Sequence, residues 1–516
     1  MKKIVISRLW LYKHRFAIGY VLLGAAFIAM LFGMPMIAQT GLSEAEMQSA
    51  TNSYLLGKEG IMSGDLVDLP YRLMQKLSIL VFGLTPYTVK LPSIIIGLFL
   101  GFLLILLLNR WFKNNVSLLA SSLVILSTPF LFLAGSGTPL IMLVFWPTLL
   151  LWLGSKIQGE NRPKPMYSFI FSIAMLLSIF TPFMIYFAIF CVIFVLIQPH
   201  LRFVLKNLPK LPLFIVIILI LGGFTMLGIS IYHHPETIKG LFLTPDFEFA
   251  SYWSNIGTGL APVFSWHNTI ESVFLSPLIS LPIFALALIG LFSTTKGFFA
   301  SRNSIASVLI VFTLIITGFN PSAVVLIILP LAILTAHGLK YLLEKWYGLF
   351  PSNPYARISA LPPLIVLFSL MIIPGSLQYI YGYRYNPNIA NEFNYDLAEI
   401  RENLTDEIFI VGDKYDFYQI LQDSMAVRVA KTAEEGMGLA AESKSNSENI
   451  KSDNNSESED NTNSENTSSD NTKRLAFLGH PEKAPDNYTL SRIVTSPMRE
   501  NSDIIYIYTK SGAPAP

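Results

Sequence analysis

The chain has 516 residues, 52% of them hydrophobic and 14% charged, with a formal net charge of +2 and a mean hydropathy of +0.52. These values describe a polytopic membrane protein and give no basic footprint for a nucleic acid. The lone cysteine, Cys191, lies inside an apolar run, which excludes a disulfide framework and a cysteine metal site.

The N-terminal 15 residues carry Lys2, Lys3, Arg8, Lys13 and Arg15, and residues 16–38 are then apolar. That run is too long for a signal-peptide core and further spans follow, so it reads as an uncleaved first span with a cytoplasmic N-terminus. The first long polar interval, 39–93, is the first place where chemistry can happen. Ser43 is a good N-cap, Glu46 stands where a capping-box carboxylate belongs, and Leu42 and Met47 have the spacing of a hydrophobic staple. Gly57 ends the predicted helix. Acids in a first turn also complement the helix dipole. Glu44, however, is not needed for the box, and a carboxylate held there could act as a general base towards an acceptor.

The order of features in this interval resembles that of polyprenyl-phosphate-dependent membrane glycosyltransferases of fold type C. That group (glycosyltransferase family 39) includes the protein O-mannosyltransferases and the aminoarabinose transferases. The matching pieces are Ser43-Glu44, Ser63-Gly64-Asp65, Leu69-Pro70-Tyr71, Val81-Phe82-Gly83 and Lys90-Leu91-Pro92-Ser93. The family's acid pair is usually Asp-Glu, and its Asp falls on Ser43; its second Pro falls on Tyr71 and its Arg on Lys90. The resemblance implies that an outer-face carboxylate deprotonates an acceptor while the sugar leaves a lipid phosphate with inversion. Glu44 and Glu46 are then the candidate catalytic residues. Arg72, Lys76 and Lys90 are candidate phosphate contacts, since a lipid phosphate at the interface wants fixed cations; anchoring to anionic head groups would explain them equally.

Taken in order, apolar runs at 16–38, 91–110, 116–134, 139–155, 166–180, 182–198, 211–232, 275–294, 304–319, 321–341 and 359–378 predict about eleven spans. Basic residues fall on alternate connections, on the side of the N-terminus. Loops 39–90 and 233–274 and the C-terminal tail therefore share the outer face. The segment 72–84, short and carrying Arg72 and Lys76, predicts an amphipathic helix at the interface. Loop 233–274 is rich in aromatics, among them Tyr252, Trp253 and Trp266. Those residues suit an interfacial belt, or a wall for a lipid-linked sugar, with Tyr71 as a further substrate contact. His233, His234, Glu236, Asp246, Glu248 and His267 show no tight ligand spacing. No metal ligand is assigned, and a divalent metal stays open. In the turn Gly135-Ser136-Gly137-Thr138-Pro139 the family commonly has an Asp where this chain has Thr138 or Pro139. Thr181-Pro182 stands where it often has Lys-Gly-Pro. The run after Asn320-Pro321 resembles its late span, with His337 read as structural.

Residues 1–378 thus form a transmembrane, glycosyltransferase-like domain. Residues 379–516 form a soluble outer domain, with helices at 394–402 and 415–421 and strands at 407–411, 426–430, 475–478 and 503–508. The tract 440–472 has almost no apolar side chains and predicts a disordered insert. The expected fold is an all-α polytopic membrane protein with a small C-terminal α/β domain. The expected activity is transfer of a sugar from a polyprenyl-phosphate donor to a lipid, glycan or protein acceptor. The absent acids at Ser43 and Thr138 keep a second reading open: a catalytically inactive binding or assembly protein of the same fold. A transporter is disfavoured by the scarcity of ionisable residues in the spans.

Overall fold

An apolar chain in a bilayer can satisfy its backbone along its own length only as a helix, and helices dominate this protein. The computed structural model describes residues 10–37, 41–57, 65–158, 165–197, 210–243, 248–264, 270–271, 274–275, 279–295, 301–349, 359, 361–385, 392–404, 407–423, 425, 427–440, 474–481, 485, 487–495 and 504–510. The tract 440–472 lies outside them, Ala440 excepted.

Among the described residues, four helices are long and apolar enough to cross a membrane: Arg15–Gly33, Pro86–Trp111, Ile141–Gln158 and Pro321–Leu349. A bent pair of helices, Asn114–Ile125 and Thr128–Gly135, meeting at 62°, is long and apolar enough only when its two pieces are taken together. Ser127 is extended at the break (ψ 147) and Pro129 follows in the first turn of the second piece, where proline is tolerated but the preceding helix cannot continue. Five shorter apolar helices have 10–17 residues. The count of eleven spans is not confirmed. Runs that read as full spans stop early at turns, as at Ile179–Phe183, where Phe183 has a positive φ of 62°.

The chain divides into two compact units: Met1–Ala38, Leu55–Gln75 and Lys90–Ala390 in the first; Gln39–Tyr54, Lys76–Val89 and Asn391–Pro516 in the second. The boundary expected after residue 378 falls inside a helix, Leu361–Tyr385. No breaker stands between Gly375 and Gly382, and Ser376 and Tyr379 remain buried there. In the first unit, Leu281–Thr295 and Ile328–Leu349 approach through glycine. A Cβ on Gly290 would lie 2.0 Å from the Leu334 carbonyl oxygen, and one on Gly338 would lie 2.0 Å from that of Leu286. Small residues at a helix crossing let backbones meet this closely.

The helix predicted over 72–84 runs from Leu69 to Phe82, starting earlier because Pro70 suits a first turn. Its sidedness is the reverse of a water-soluble helix. Leu73, Leu77, Leu80 and Val81 are exposed, while Tyr71, Gln75 and Ser78 are buried.

The second unit holds a five-stranded mixed sheet. Ile408–Ile410 lies between Arg428–Ala430 and Leu475–Leu478, parallel to both; Ile505–Lys510 pairs antiparallel with Leu475–Leu478 and with Tyr488–Val494. Helix Asp396–Asn403 and the turn of helix Tyr415–Tyr418 precede the second strand. The last-named partner, Tyr488–Val494, is not among the predicted strands. Its side chains are mostly exposed, so the Ser and Arg within it leave no apolar run to detect. Leu42, Ala50, Ile79, Leu84, Leu397, Phe409, Tyr418 and Ile507 belong to one core here, so pieces of the 39–90 loop are packed into the C-terminal sheet unit.

Candidate functional site

In the first unit, three separate pieces of the family-like motif converge. Tyr71, Ser93 and Thr138 are buried. The Tyr71 hydroxyl and Ser93 Oγ lie 2.7 Å apart, and Ser93 Oγ donates to the Thr138 carbonyl at 3.2 Å. Gln75 Nε2 donates to the Gly137 carbonyl at 3.0 Å, and Ser136 Oγ and Thr138 Oγ1 are 3.2 Å apart. The start of helix Leu69–Phe82, the start of helix Pro86–Trp111 and the turn at 135–138 are therefore tied by polar groups that have no water to turn to. Lys90, only 1% exposed, lies three residues before Ser93 on the same helix. Trp146 Nε1 donates to Thr181 Oγ1 at 2.9 Å, both side chains being buried.

Just before that helix, Asp65 gathers three donors: Arg72 Nη1 at 3.0 Å, the Val67 N–H at 3.1 Å and Thr237 Oγ1 at 3.2 Å. Arg72, read from the sequence as a phosphate contact, thus has a carboxylate partner of its own. Asp68 is different. Its backbone is in the left-handed region (φ 56°), its N–H donates to the Phe180 carbonyl at 2.8 Å, and its carboxyl is buried with Oδ1 lacking a hydrogen-bond partner among the described residues. Burial pushes its pKa up from 3.8 to about 7; Arg72 opposes that shift and Asp65 adds to it. The apolar surroundings come from Leu66, Leu69, Phe180 and Leu241, which share one core cluster.

In the second unit, helix Glu44–Leu55 opens as its sequence predicts. The Ser43 N–H donates to Glu46 Oε2 at 2.9 Å and the Glu46 N–H to Ser43 Oγ at 3.3 Å, the reciprocal capping box. Leu42 and Met47 both join the core, and Gly57 has φ 83°, the left-handed geometry that ends helices. Glu46 is 2% exposed and its carboxylate closes the box, whereas Glu44 is exposed. The pair Leu42 and Asn394 exchange backbone hydrogen bonds at 2.8 Å in both directions. The Tyr54 hydroxyl donates to Asp423 Oδ2 at 2.5 Å; burial and that carboxylate push the phenol up to about 12.

The remaining candidates scatter. Trp253, at the start of helix Tyr252–Phe264, is 79% exposed, as an interfacial belt residue would be. Lys76 is half-buried, and Trp266 lies outside the described residues. Among the described residues no three His, Cys, Asp or Glu side chains come together to hold a metal. Sequence reasoning missed Asp68 and Gln75. The available signal for Asp68 was an acid two residues before a proline at a helix start, a pattern that ordinarily reads as a cap.

Residues 70–223 match the family of dolichyl-phosphate-mannose-protein mannosyltransferases. Among solved structures, ArnT from Cupriavidus metallidurans, crystallised with undecaprenyl phosphate, has 12% identity to this chain and a TM-score of 0.55. That alignment covers 95% of this chain and 98% of that one. Its apo form gives 13% identity, the same TM-score and the same coverage. The apo oligosaccharyltransferase of Archaeoglobus fulgidus gives 11% identity and a TM-score of 0.50, over 81% of this chain and 65% of that one. No curated protein matches the chain by sequence. The family suspected from the motif order is supported by the match over 70–223. The fold is that of the type C membrane glycosyltransferases.

Proposed function

We propose that this chain is a membrane glycosyltransferase that moves a sugar from a polyprenyl-phosphate donor to a hydroxyl or amine of an outer-face lipid, glycan or protein. The observation that carries the reading is the coincidence of two matches. Residues 70–223 match a family named for a lipid-phosphate sugar donor, and 95% of the chain aligns with a protein crystallised with undecaprenyl phosphate. The buried network of Tyr71, Ser93 and Thr138 supports it, because it joins motif pieces that the chain separates. In this reaction the bond between the sugar C1 and the phosphate oxygen breaks, and the lipid phosphate leaves with the electron pair. The acceptor oxygen or nitrogen bonds C1 from the opposite face and gives up its proton to a carboxylate.

Glu44 is our base. Glu46 is held by the capping box, while Glu44 is exposed and without a role in the box. Lys90, with Lys76 beside the same interval, offers cationic contacts to the phosphate. Tyr71, Trp253 and Trp266 are the proposed walls for the lipid-linked sugar. Arg72, expected from the sequence as a further phosphate contact, is paired with Asp65 at 3.0 Å and is left out of the proposed phosphate site.

The test is transfer from labelled polyprenyl-phosphate sugars, hexoses and pentoses in parallel, to membrane acceptors. Glu44→Gln is expected to lower the rate by about 10²–10⁴-fold, the usual effect of losing a general base, with little change in thermal stability. Glu46→Gln still closes the box and should lose little activity. Ser43→Asp, also a competent N-cap, should raise the rate if the chain is a weakened enzyme. Full activity in Glu44→Gln would show that the base lies elsewhere. Absence of turnover in both the wild type and Ser43→Asp would favour the binding or assembly protein.

A further inference from the structure

Aspartate is among the best N-caps because its carboxylate accepts the amides of the second and third helical residues. Asp68 stands at that position before helix Leu69–Phe82, and its carbonyl accepts the Arg72 N–H at 3.0 Å. Its side chain does no capping. The second helical residue is Pro70, which has no N–H to give, and Asp68 Oδ1 is buried with no hydrogen-bond partner among the described residues. A buried acceptor left empty is uncommon in a folded protein. The backbone adds a second anomaly. Asp68 adopts φ 56°, although aspartate there is less at ease than glycine, and the strand of chain is pinned in that form by the bond from its N–H to Phe180. Strained backbone and a vacant carboxyl at one residue are what a functional position accumulates.

The charged neighbours define what Asp68 can accept. Arg72 and Asp65 act on it electrostatically and already hold each other at 3.0 Å, so their charges largely cancel. Phe180 contributes a backbone carbonyl. Helix Glu236–Phe242 contributes Thr237, whose hydroxyl is spent on Asp65. No free cation remains there for a phosphate among these partners. What the carboxyl lacks is a hydrogen-bond donor, and a hydroxyl or amine of the acceptor brings one.

We infer that Asp68 is an acceptor-binding residue: its carboxyl takes a hydrogen bond from a hydroxyl or amine of the acceptor other than the one that attacks the sugar. This deepens the glycosyltransferase reading and rests on it. The interaction strengthens when Asp68 is ionised, so acceptor affinity rises with pH through the neutral range, and it rises most where the contacting, non-reacting group of the acceptor is a cationic amine. The contact lies two residues before the start of the family match at residue 70.

The experiment is steady-state transfer from polyprenyl-phosphate-linked sugars, with a hydroxyl-bearing and an amine-bearing lipid as acceptors, from pH 5 to 9. Asp68→Asn is expected to raise the acceptor KM about 10- to 100-fold, as for a lost hydrogen bond to a charged group. The donor KM should stay in place and the pH dependence of the acceptor KM should vanish. A merely structural Asp68 would lower thermal stability and leave the ratio of the two KM values unchanged, which overturns the inference. If Asp68→Asn does not fold, Asp68→Glu carries the test. A shifted pH midpoint of acceptor KM supports the inference, and an unshifted one overturns it. Turnover with an unmoved acceptor KM sinks the inference alone, whereas a wild type that turns over no donor sinks it together with the glycosyltransferase reading.

Discussion

Asp68 also leaves a signature in stability that needs no substrate. Its native pKa is about 7 against 3.8 for the free side chain, with burial the largest cause. The native state therefore holds a proton that the unfolded chain has lost between those values. Stability from this group is full below about pH 4 and declines as pH rises to about 7, after which it is flat. A difference of about three pK units corresponds to at most about 4 kcal/mol. Thermal unfolding of Asp68→Asn in detergent, from pH 4 to 8, should show that decline removed; an unchanged slope would mean the carboxyl is not buried and neutral as described. The neighbouring acids show what a sequence can and cannot reveal about single residues. The role of Glu46 was legible because a capping box is local: four residues contain the whole interaction. Asp68 was not, because its N–H bonds the carbonyl of Phe180 and its neighbours Leu66 and Leu69 share a core with Phe180 and Leu241, more than a hundred positions away in the chain.

At the scale of elements, the close crossing of Leu281–Thr295 and Ile328–Leu349 makes a sharp demand. A methyl group on Gly338 would sit 2.0 Å from a backbone oxygen, which cannot rotate away. Gly338→Ala should therefore force the helices apart and cost about 1–3 kcal/mol, read as a lower melting temperature with Gly348→Ala, which has open space around it, as the control. A melting temperature equal to that control would show the crossing to be looser. Helices as such were readable from apolar runs, but their breaks were not. The run 116–134 is unbroken in hydropathy, and only Ser127-Thr128-Pro129 hints at the 62° bend. The reversed sidedness of Leu69–Phe82 was half legible: Arg72 and Lys76 marked it as interfacial, yet only packing reveals that Gln75 and Tyr71 face inward.

For the whole molecule, we propose from the alternation of basic loops that the N-terminus lies in the cytoplasm and residues after 384 outside. Reporter fusions after Lys164 and after Arg384 should report opposite sides, and the same side for both would overturn the eleven-span topology. Replacing residues 440–472 by a short Gly-Ser linker should leave expression and melting temperature nearly unchanged, since that tract has nothing to bury; a large loss of folded protein would give it a structural part.

The pairing of Leu42 with Asn394 sets an order of events during synthesis. The helix that carries Glu44 leaves the ribosome early, but the strand-like partner beside it is made roughly 350 residues later. At about 5–20 residues per second that interval is on the order of 20–70 s, during which Leu42 and its neighbours have a core to join that does not yet exist. The helix that carries Glu44 is thus a late assembly product. An early stop codon anywhere before residue 391 would leave it unanchored, however completely the membrane helices had formed.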